Sequence, residues 1–165
     1  MAEYQTIHIL DSGVFLTGAE QRFMEFPCAT IYNVVDEMKS SKASIEMDRC
    51  LQSGLAVLEP SKESIEAAEK ARQKTQDKLS KTDIRLIALA LDFKKKKKEY
   101  VLITDDYGIQ NLSRKLKVNY APMSREGIKK EIEWTGRCRA CGFKTNQKIC
   151  PDCGSAVKFG ARVVK

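Results

Sequence analysis

Four cysteines near the C-terminal end of the chain have the spacing of a metal site. They form two Cys-x-x-Cys pairs, Cys138 with Cys141 and Cys150 with Cys153, and a glycine follows each second cysteine. Each pair folds two thiolates onto one side of a tight turn, and two facing turns supply the four sulfurs of a tetrahedral zinc site. The glycines permit a positive φ, so that the backbone can curl over a sulfur. We predict one structural zinc ion here, and a pair of disulfides is the alternative.

Acidic residues are candidates for a second site of a different kind. The set is Asp11, Glu37, Asp83 and Asp105, with Asp106 as an additional candidate. Asp11 and Asp105 each follow a short apolar run that predicts a β-strand, and in a parallel α/β sheet ligands bind at the C-terminal edge of the strands. Asp83 stands at the start of an apolar helix, where free N–H groups favour a carboxylate even without an active site. Glu37 lies near a helix end, where the macrodipole disfavours an anion, and a paired surface glutamate explains it equally well.

Acids that converge on one pocket imply a divalent cation, because close carboxylates repel one another unless a cation neutralises them. Oxygen ligands suit Mg²⁺ or Mn²⁺. Such ions polarise a scissile phosphate and lower the pKa of a bound water. The chain has a single histidine, His8, so an acid–base ribonuclease that uses two histidines is excluded. His8 lies within the first predicted strand, where a packing role explains it better than catalysis. Serine–histidine chemistry and a Walker phosphate loop are excluded too.

Strands that alternate with helices must position these acids. The predicted strands cover residues 6–10, 55–58, 101–104 and 118–121. The predicted helices cover residues 30–39 with Thr30 as the N-cap, 44–52, 61–74, a strongly apolar helix that begins at Thr82 and Asp83, and 107–116. This alternation predicts an α/β fold, a small parallel sheet flanked by helices with right-handed crossovers. We place this domain at residues 1–123, a linker at 124–134 and a small zinc ribbon at 135–165.

The net charge of +7 is concentrated in the predicted ribbon. Residues 135–165 hold seven Lys or Arg and one acid, whereas residues 1–134 are nearly neutral. A polyanion is the natural partner of so basic a module, and we favour nucleic acid over a merely solvated surface. The candidate RNA contacts are Arg137, Arg139, Lys144 and Lys148. Five consecutive lysines, residues 94–98, offset the dipole at the end of the apolar helix, and a phosphate contact there is compatible with that role.

The remaining features indicate a compartment. No apolar run is long enough to span a membrane, and we expect no signal peptide. Cys28 and Cys50 stand in apolar surroundings and are predicted to be buried, reduced thiols. Together with a zinc-type quartet, they favour a reducing, cytoplasmic compartment.

Four segments in this order resemble a PIN-domain nuclease. They are HILDSGVFL, VVDEMKS, LSKTDIRLIALAL and VLITDDYGIQNL, which cover most of residues 5–121. The resemblance implies a metal-dependent RNA nuclease with an acidic pocket on a small parallel sheet. In it, Asp11, Glu37, Asp83 and Asp105 correspond to the catalytic acids, and Asp106 is a less certain neighbour.

A PIN domain followed by a four-cysteine ribbon is similar to the NOB-type (Nin-one-binding) endoribonucleases, and TDDYGIQN at residues 104–111 fits that subgroup. This resemblance implies maturation of the 3′ end of precursor small-subunit rRNA within the pre-ribosomal small subunit, with zinc as structural and Mg²⁺ or Mn²⁺ as catalytic cofactors. One alternative is a toxin-like PIN ribonuclease acting on tRNA or mRNA, against which the ribbon argues. The other is a non-catalytic RNA- or ribosome-binding adaptor, against which the intact acidic set argues.

Overall fold

Five short parallel strands form the central sheet of the N-terminal domain. The computed structural model describes residues 5–75, 78–123 and 131–164, and at 131–134 and 161–164 it describes the backbone alone. The strands are β1 (Ile7–Leu10), β2 (Cys28–Thr30), β3 (Ala56–Val57), β4 (Tyr100–Ile103) and β5 (Tyr120–Ala121). They lie in the order β3-β2-β1-β4-β5, and each neighbouring pair is parallel. The predicted α/β class is confirmed, and β1 and β4, which precede Asp11 and Asp105, are neighbours.

Helices connect these strands. They are α1 (Ser12–Leu16), α2 (Tyr32–Lys39), α3 (Ser44–Gln52), α4 (Lys62–Thr75), α5 (Lys81–Lys95) and α6 (Tyr107–Lys115), with a short 3₁₀ helix at Glu20–Arg22. The most apolar helix, α5, is buried continuously from Leu86 to Phe93 and crosses the core. Among the described helices, none has the length and apolar character needed to cross a membrane.

Two predicted helix starts were wrong. Thr30 is the last residue of β2 and not an N-cap, because its hydroxyl donates to the carbonyl of Leu10 at 2.9 Å and so binds β2 to β1. Ile31 takes the N-cap position of α2 without a side-chain hydrogen bond. The start of α5 lies before Thr82, because Ser80 caps the helix and Lys81 is its first residue. The hydroxyl of Thr30 thus binds a neighbouring strand and does not cap a helix, whereas Ser80 makes the cap that begins α5.

The C-terminal module is an antiparallel hairpin of β6 (Glu131–Cys138) and β7 (Val157–Val164), with the cysteine turns between the two strands. Its first strand begins inside the predicted linker, and the rest of that linker, residues 124–130, lies outside the described residues. Gly136 has no room for a side chain, since a Cβ atom there would lie 2.2 Å from the carbonyl oxygen of Thr145. The close approach of these two backbone segments holds the first cysteine turn against β6.

Candidate active site and metal centre

Asp11 lies at the C-terminal end of β1 and is only 6% exposed. Its Oδ1 accepts the N–H of Ser12 at 2.6 Å, and its Oδ2 accepts the hydroxyl of Thr104 at 2.6 Å. The register explains this contact, because Leu10 pairs with Ile103 and the residues that follow them lie side by side. Asp11 is thus held rigidly at the sheet edge where a ligand was predicted to bind.

The surroundings of Asp11 disfavour its charged form. Burial raises the pKa of Asp11 above its ordinary value of 3.8, the hydrogen bonds from Thr104 and Ser12 lower the pKa without cancelling that effect, and the negative charge of Asp83 raises it further. Asp83 therefore lies close enough to Asp11 for electrostatic repulsion. A buried carboxylate beside a second carboxylate is stabilised by a bound cation.

Asp83 also has a structural role at the start of α5. Its Oδ2 accepts the N–H of Ser80 at 2.7 Å, and its own N–H donates to Ser80 Oγ at 3.1 Å. This reciprocal pair is a capping box, which satisfies two N–H groups of the first helical turn. The cap fixes the orientation of the Asp83 carboxylate, and it means that a substitution of Asp83 changes both the helix end and the site.

Glu37 is exposed and lies in the last turn of α2. Its Oε1 accepts the hydroxyl of Thr82 at 2.6 Å, and Thr82 is the residue before Asp83. The predicted alternative was a paired surface glutamate, and the exposed Glu37 is indeed paired with Thr82. This contact joins α2 to the N-terminal turn of α5, so Glu37 and Asp83 lie at the same end of the domain.

Asp105 and Asp106 follow Thr104 in the loop between β4 and α6. Asp105 is half-buried, whereas Asp106 is exposed and caps α6, with its Oδ1 accepting the N–H of Ile109 at 2.9 Å. The N–H of Asp106 donates to Thr104 Oγ1 at 3.0 Å. Asp106 thus has a structural task of its own, and Asp105 stands between it and the threonine that holds Asp11.

Two threonines that were not among the predicted site residues hold the acids. Thr82 donates to Glu37 and Thr104 donates to Asp11, and each threonine directly precedes another acid of the predicted set, Asp83 or Asp105. The repeated Thr-Asp dipeptide was the available signal. Each dipeptide brings two acids together, one in the chain and one through the threonine hydroxyl.

Three other reactive side chains lie outside this cluster. His8 packs within β1 against the rings of Phe23 and Phe26, with centroids 5.8 and 4.9 Å away, and burial lowers its pKa. Cys28 and Cys50 are buried, free thiols, and burial raises the pKa of both. These findings agree with the predicted packing role of the histidine and the predicted state of the two thiols.

The four cysteines of the hairpin form one cluster. Their Sγ atoms all lie within 4.8 Å of one another, with 3.4 Å between Cys138 and Cys153 and 3.5 Å between Cys141 and Cys150. All four are free thiols, and a disulfide would need about 2.05 Å between sulfurs. Tetrahedral zinc with Zn–S bonds of about 2.3 Å separates its sulfurs by about 3.8 Å. The donor set therefore fits zinc. Across the described residues, no group of carboxylates is as tightly clustered.

The two cysteine turns have the same backbone geometry. The N–H of Gly142 donates to the carbonyl of Cys138 at 3.0 Å, and the N–H of Gly154 donates to that of Cys150 at 2.9 Å. Both glycines have positive φ, 78° and 72°, as the sequence predicted. This repeat presents two pairs of sulfurs to a common centre.

Basic side chains surround one face of the hairpin. An open depression of about 380 Å³ is lined by Arg137, Arg139, Lys158 and Phe159, among others. Lys158, which was not among the predicted RNA contacts, lines it as well. The other two predicted contacts, Lys144 and Lys148, are exposed but do not line this depression. Phe143, which follows the first cysteine turn, and Ile149, which precedes the second, are exposed apolar side chains.

Comparisons with known proteins agree with this geometry. The family model for the PIN domain of ribonuclease matches residues 8–93. A protein of Archaeoglobus fulgidus named endoribonuclease Nob1 is 38% identical over 90% of this chain and 87% of its own length. Endoribonuclease Nob1 of Pyrococcus abyssi is 38% identical over 92% of this chain and 91% of its own length. Ribonuclease VapC1 of Thermoplasma acidophilum is 33% identical over 76% of this chain and 64% of its own length. An acidic sheet edge, a four-cysteine hairpin and these matches over most of the chain place it in the PIN-domain ribonuclease family, among the Nob1 endoribonucleases.

Proposed function

We propose that this chain is a divalent-metal-dependent endoribonuclease of the cytoplasm that matures the 3′ end of precursor small-subunit rRNA in the pre-ribosomal small subunit. The observation that best supports this proposal is the buried carboxylate of Asp11, which is hydrogen-bonded to Thr104 and close enough to Asp83 for the two negative charges to interact. A non-catalytic adaptor has no need of a buried carboxylate close to a second carboxylate at a sheet edge, because burial and the neighbouring negative charge destabilise the ionised group unless a cation binds.

The acidic edge would hold Mg²⁺ or Mn²⁺ through Asp11, Asp83 and Asp105. When bound, the ion polarises the scissile phosphate and makes a water molecule more acidic. Thr104 and Ser12 keep the Asp11 carboxylate in a fixed orientation. Glu37 is an exposed acid of the set and its Oε1 accepts the Thr82 hydroxyl; in this proposal it would accept a proton from the attacking water. The products are a 5′-phosphate and a 3′-hydroxyl.

The hairpin would bind one structural zinc ion through its four cysteines and position the RNA near the cut. Arg137, Arg139 and Lys158 line the depression and supply phosphate contacts, while Lys144 and Lys148 extend the basic surface beyond it. Phe143 is exposed on the first turn and offers a face on which an unpaired base can stack. Basic contacts of this kind position RNA but do not read its sequence.

The deciding experiment is incubation of the full chain with an RNA that spans the junction between the mature small-subunit 3′ end and its trailer, followed by mapping of both new ends. We expect one dominant cut in Mn²⁺ or Mg²⁺ and none without divalent ions. An Asp11→Asn protein is the control, because it should lose cleavage and retain binding to the same RNA. Absence of cutting in the wild type, with this RNA bound, would favour the adaptor.

A toxin-like ribonuclease is the second candidate. The observation in its favour is the similarity to ribonuclease VapC1, which, however, extends over less of either chain than the similarity to the Nob1 proteins. Tests on tRNA and on an unstructured mRNA segment distinguish the two. Cleavage of these RNAs as efficient as that of the junction RNA would support the toxin-like activity.

A further inference from the structure

Helices α5 and α6 each end with a lysine in the left-handed backbone conformation. The N–H of Lys97 donates to the carbonyl of Lys94 and that of Lys98 to Phe93, and at the end of α6 Lys117 and Val118 make the same two bonds. Each helix thus ends in a Schellman motif, whose C′ residue has left-handed backbone. That residue is Lys97 (φ 52°) in one helix and Lys117 (φ 53°) in the other. In the part of the chain that the structure describes, no other non-glycine residue has positive φ.

Helix stability does not explain a lysine at these two positions. Glycine adopts the left-handed conformation without the steric conflict that a Cβ atom introduces, and it is the usual residue at C′. Lysine therefore occupies both positions although its Cβ atom makes the left-handed conformation unfavourable. A cation near a helix C-terminus offsets the dipole, but the lysines and arginines of the preceding turns already supply that effect.

The two helix ends lie together on one side of the domain. Residues 97 and 117 come just before β4 and β5, which are neighbouring parallel strands, so both turns lie at the N-terminal edge of the sheet. Lys94 joins them, since its Nζ donates to the carbonyl of Leu116 at 2.8 Å. The acids lie at the opposite edge, separated by the four residues of β4, or roughly 13 Å.

This edge is a dense basic surface, which we call the lysine face. It consists of Lys94, Lys95, Lys96, Lys97, Lys98, Arg114, Lys115 and Lys117, and all but the half-buried Lys115 are exposed. Three acids lie near it: Glu63 lies 3.9 Å from Lys95, Asp92 interacts electrostatically with Lys95, and Glu99 follows the run. Counted together with these three acids, the lysine face carries a formal charge of +5.

The surface chemistry selects among polyanions. None of the described large apolar residues that are exposed belongs to the lysine face, which argues against insertion into a membrane. Proteins that bind single strands stack unpaired bases on aromatic side chains, and the aromatic rings next to this face, Phe93 and Tyr100, are buried. Cations without stacking partners suit the regularly spaced phosphates of a double helix.

We propose that the lysine face binds the phosphate backbone of double-helical RNA and anchors the substrate on the side of the domain opposite the acids. The proposal rests on the proposed function in one respect, namely that a precursor rRNA offers helices beside the strand to be cut. A single-stranded segment of the RNA would then bind at the acidic edge while the lysine face binds a neighbouring RNA helix on the opposite side of the domain.

The test compares the full chain with a Lys97→Gly, Lys117→Gly double variant in binding a labelled RNA duplex of about 16 base pairs. Fluorescence anisotropy is measured between about 50 and 200 mM salt, without added Mg²⁺ or Mn²⁺. We expect affinity to fall about tenfold or more at low salt, and the logarithmic salt slope to become shallower by about 0.9 for each lysine lost. The melting temperature should stay the same or rise, because glycine relieves both left-handed positions.

The matched control is Lys70→Ala with Lys74→Ala, which removes the same charge from exposed positions of α4 outside the lysine face. A second variant, Lys96→Gln with Arg114→Gln, should weaken duplex binding without altering either left-handed residue. Equal affinity of wild type and both face variants would overturn the proposal. So would an equal loss in the control, or tighter binding of polyglutamate than of RNA. This assay measures duplex binding and not cleavage, so its result is independent of the proposed function. A chain that does not cut precursor rRNA can still bind the duplex through the lysine face, and a chain that cuts it can lack this binding.

Discussion

The hydroxyl of Thr104 donates to Asp11 Oδ2 over 2.6 Å, although the two residues are 93 positions apart in the chain. This bond joins the ends of β1 and β4 and lowers the pKa of the Asp11 carboxyl against the larger effect of burial. Thr104 itself is 1% exposed and accepts the N–H of Asp106. One buried hydroxyl therefore relates three segments of the acidic edge, the end of β1, the end of β4 and the start of α6.

Thr104→Val should impair cleavage through Asp11, since the new side chain keeps the shape but cannot donate. A hydrogen bond to a charged group contributes about 1.5–3 kcal/mol, so we expect turnover to fall by about tenfold or more. Loss of the bond raises the Asp11 pKa further, so the acid limb of the pH–rate profile should move to higher pH. Thr17→Val, at an exposed threonine outside the cluster, is the control. A normal pH profile in Thr104→Val would show that this bond does not tune Asp11.

Asp11→Asn should abolish cleavage and stabilise the metal-free protein. The folded-state pKa of Asp11 is raised above 3.8, so between these two values the folded chain binds more protons than the unfolded one. Stability therefore falls as the pH rises through this window, and at neutral pH the ionised carboxylate remains a cost to folding. Asparagine removes that cost. We expect a higher melting temperature than wild type without divalent ions and a smaller increase on adding Mn²⁺, measured by calorimetry at pH 7 with and without the ion. A lower melting temperature in the metal-free variant would contradict this account.

Zinc should be bound by the hairpin independently of the acidic edge. Elemental analysis of protein freed of adventitious ions should give one zinc per chain, and Cys141→Ser should lose it, because folding and metal binding are coupled in such modules. The α/β domain should still melt cooperatively in that variant. Cys50→Ser, which alters a buried thiol of the other domain, should keep its zinc. Loss of all cooperative unfolding in Cys141→Ser would mean that the two parts fold as one unit.

Arg139→Gln with Lys158→Gln should weaken the binding of single-stranded RNA. Both side chains line the same depression of the hairpin. With two phosphate contacts removed, the logarithmic salt slope should become shallower by about 1.4, at roughly 0.7 per contact. Lys62→Gln, at an exposed position at the start of α4, is the control and should leave the slope as it is. An unchanged slope in the double variant would place the RNA contacts elsewhere on the chain.

Local patterns made parts of this protein predictable. The cysteine turns could be predicted because the cysteine spacing and the glycines determine the backbone conformation directly. Helix α3 and the buried stretch of α5 could be predicted because their periodic or continuous apolar residues are compatible with few other structures. The short strand β2 could not be predicted from the sequence. Its three residues are too few to form a recognisable pattern, and they pair with β1 on one side and with β3 on the other. The contacts of Thr82 and Thr104 were hidden for the same reason: their partners, Glu37 and Asp11, are distant in the chain.

The capping box of α5 has a consequence for the choice of ion. Asp83 Oδ2 accepts the N–H of Ser80, and Asp11 accepts a hydrogen bond from Ser12 with one oxygen and from Thr104 with the other. Three of these four carboxylate oxygens thus already use one lone pair for a hydrogen bond, so one-oxygen ligation retains these bonds more readily than a chelating, two-oxygen mode. Calcium takes six to eight oxygens in flexible arrangements and often chelates carboxylates, whereas magnesium demands a near-ideal octahedron and keeps several waters. At the proposed metal site these hydrogen bonds would therefore favour the smaller ion, and we expect calcium to occupy it poorly.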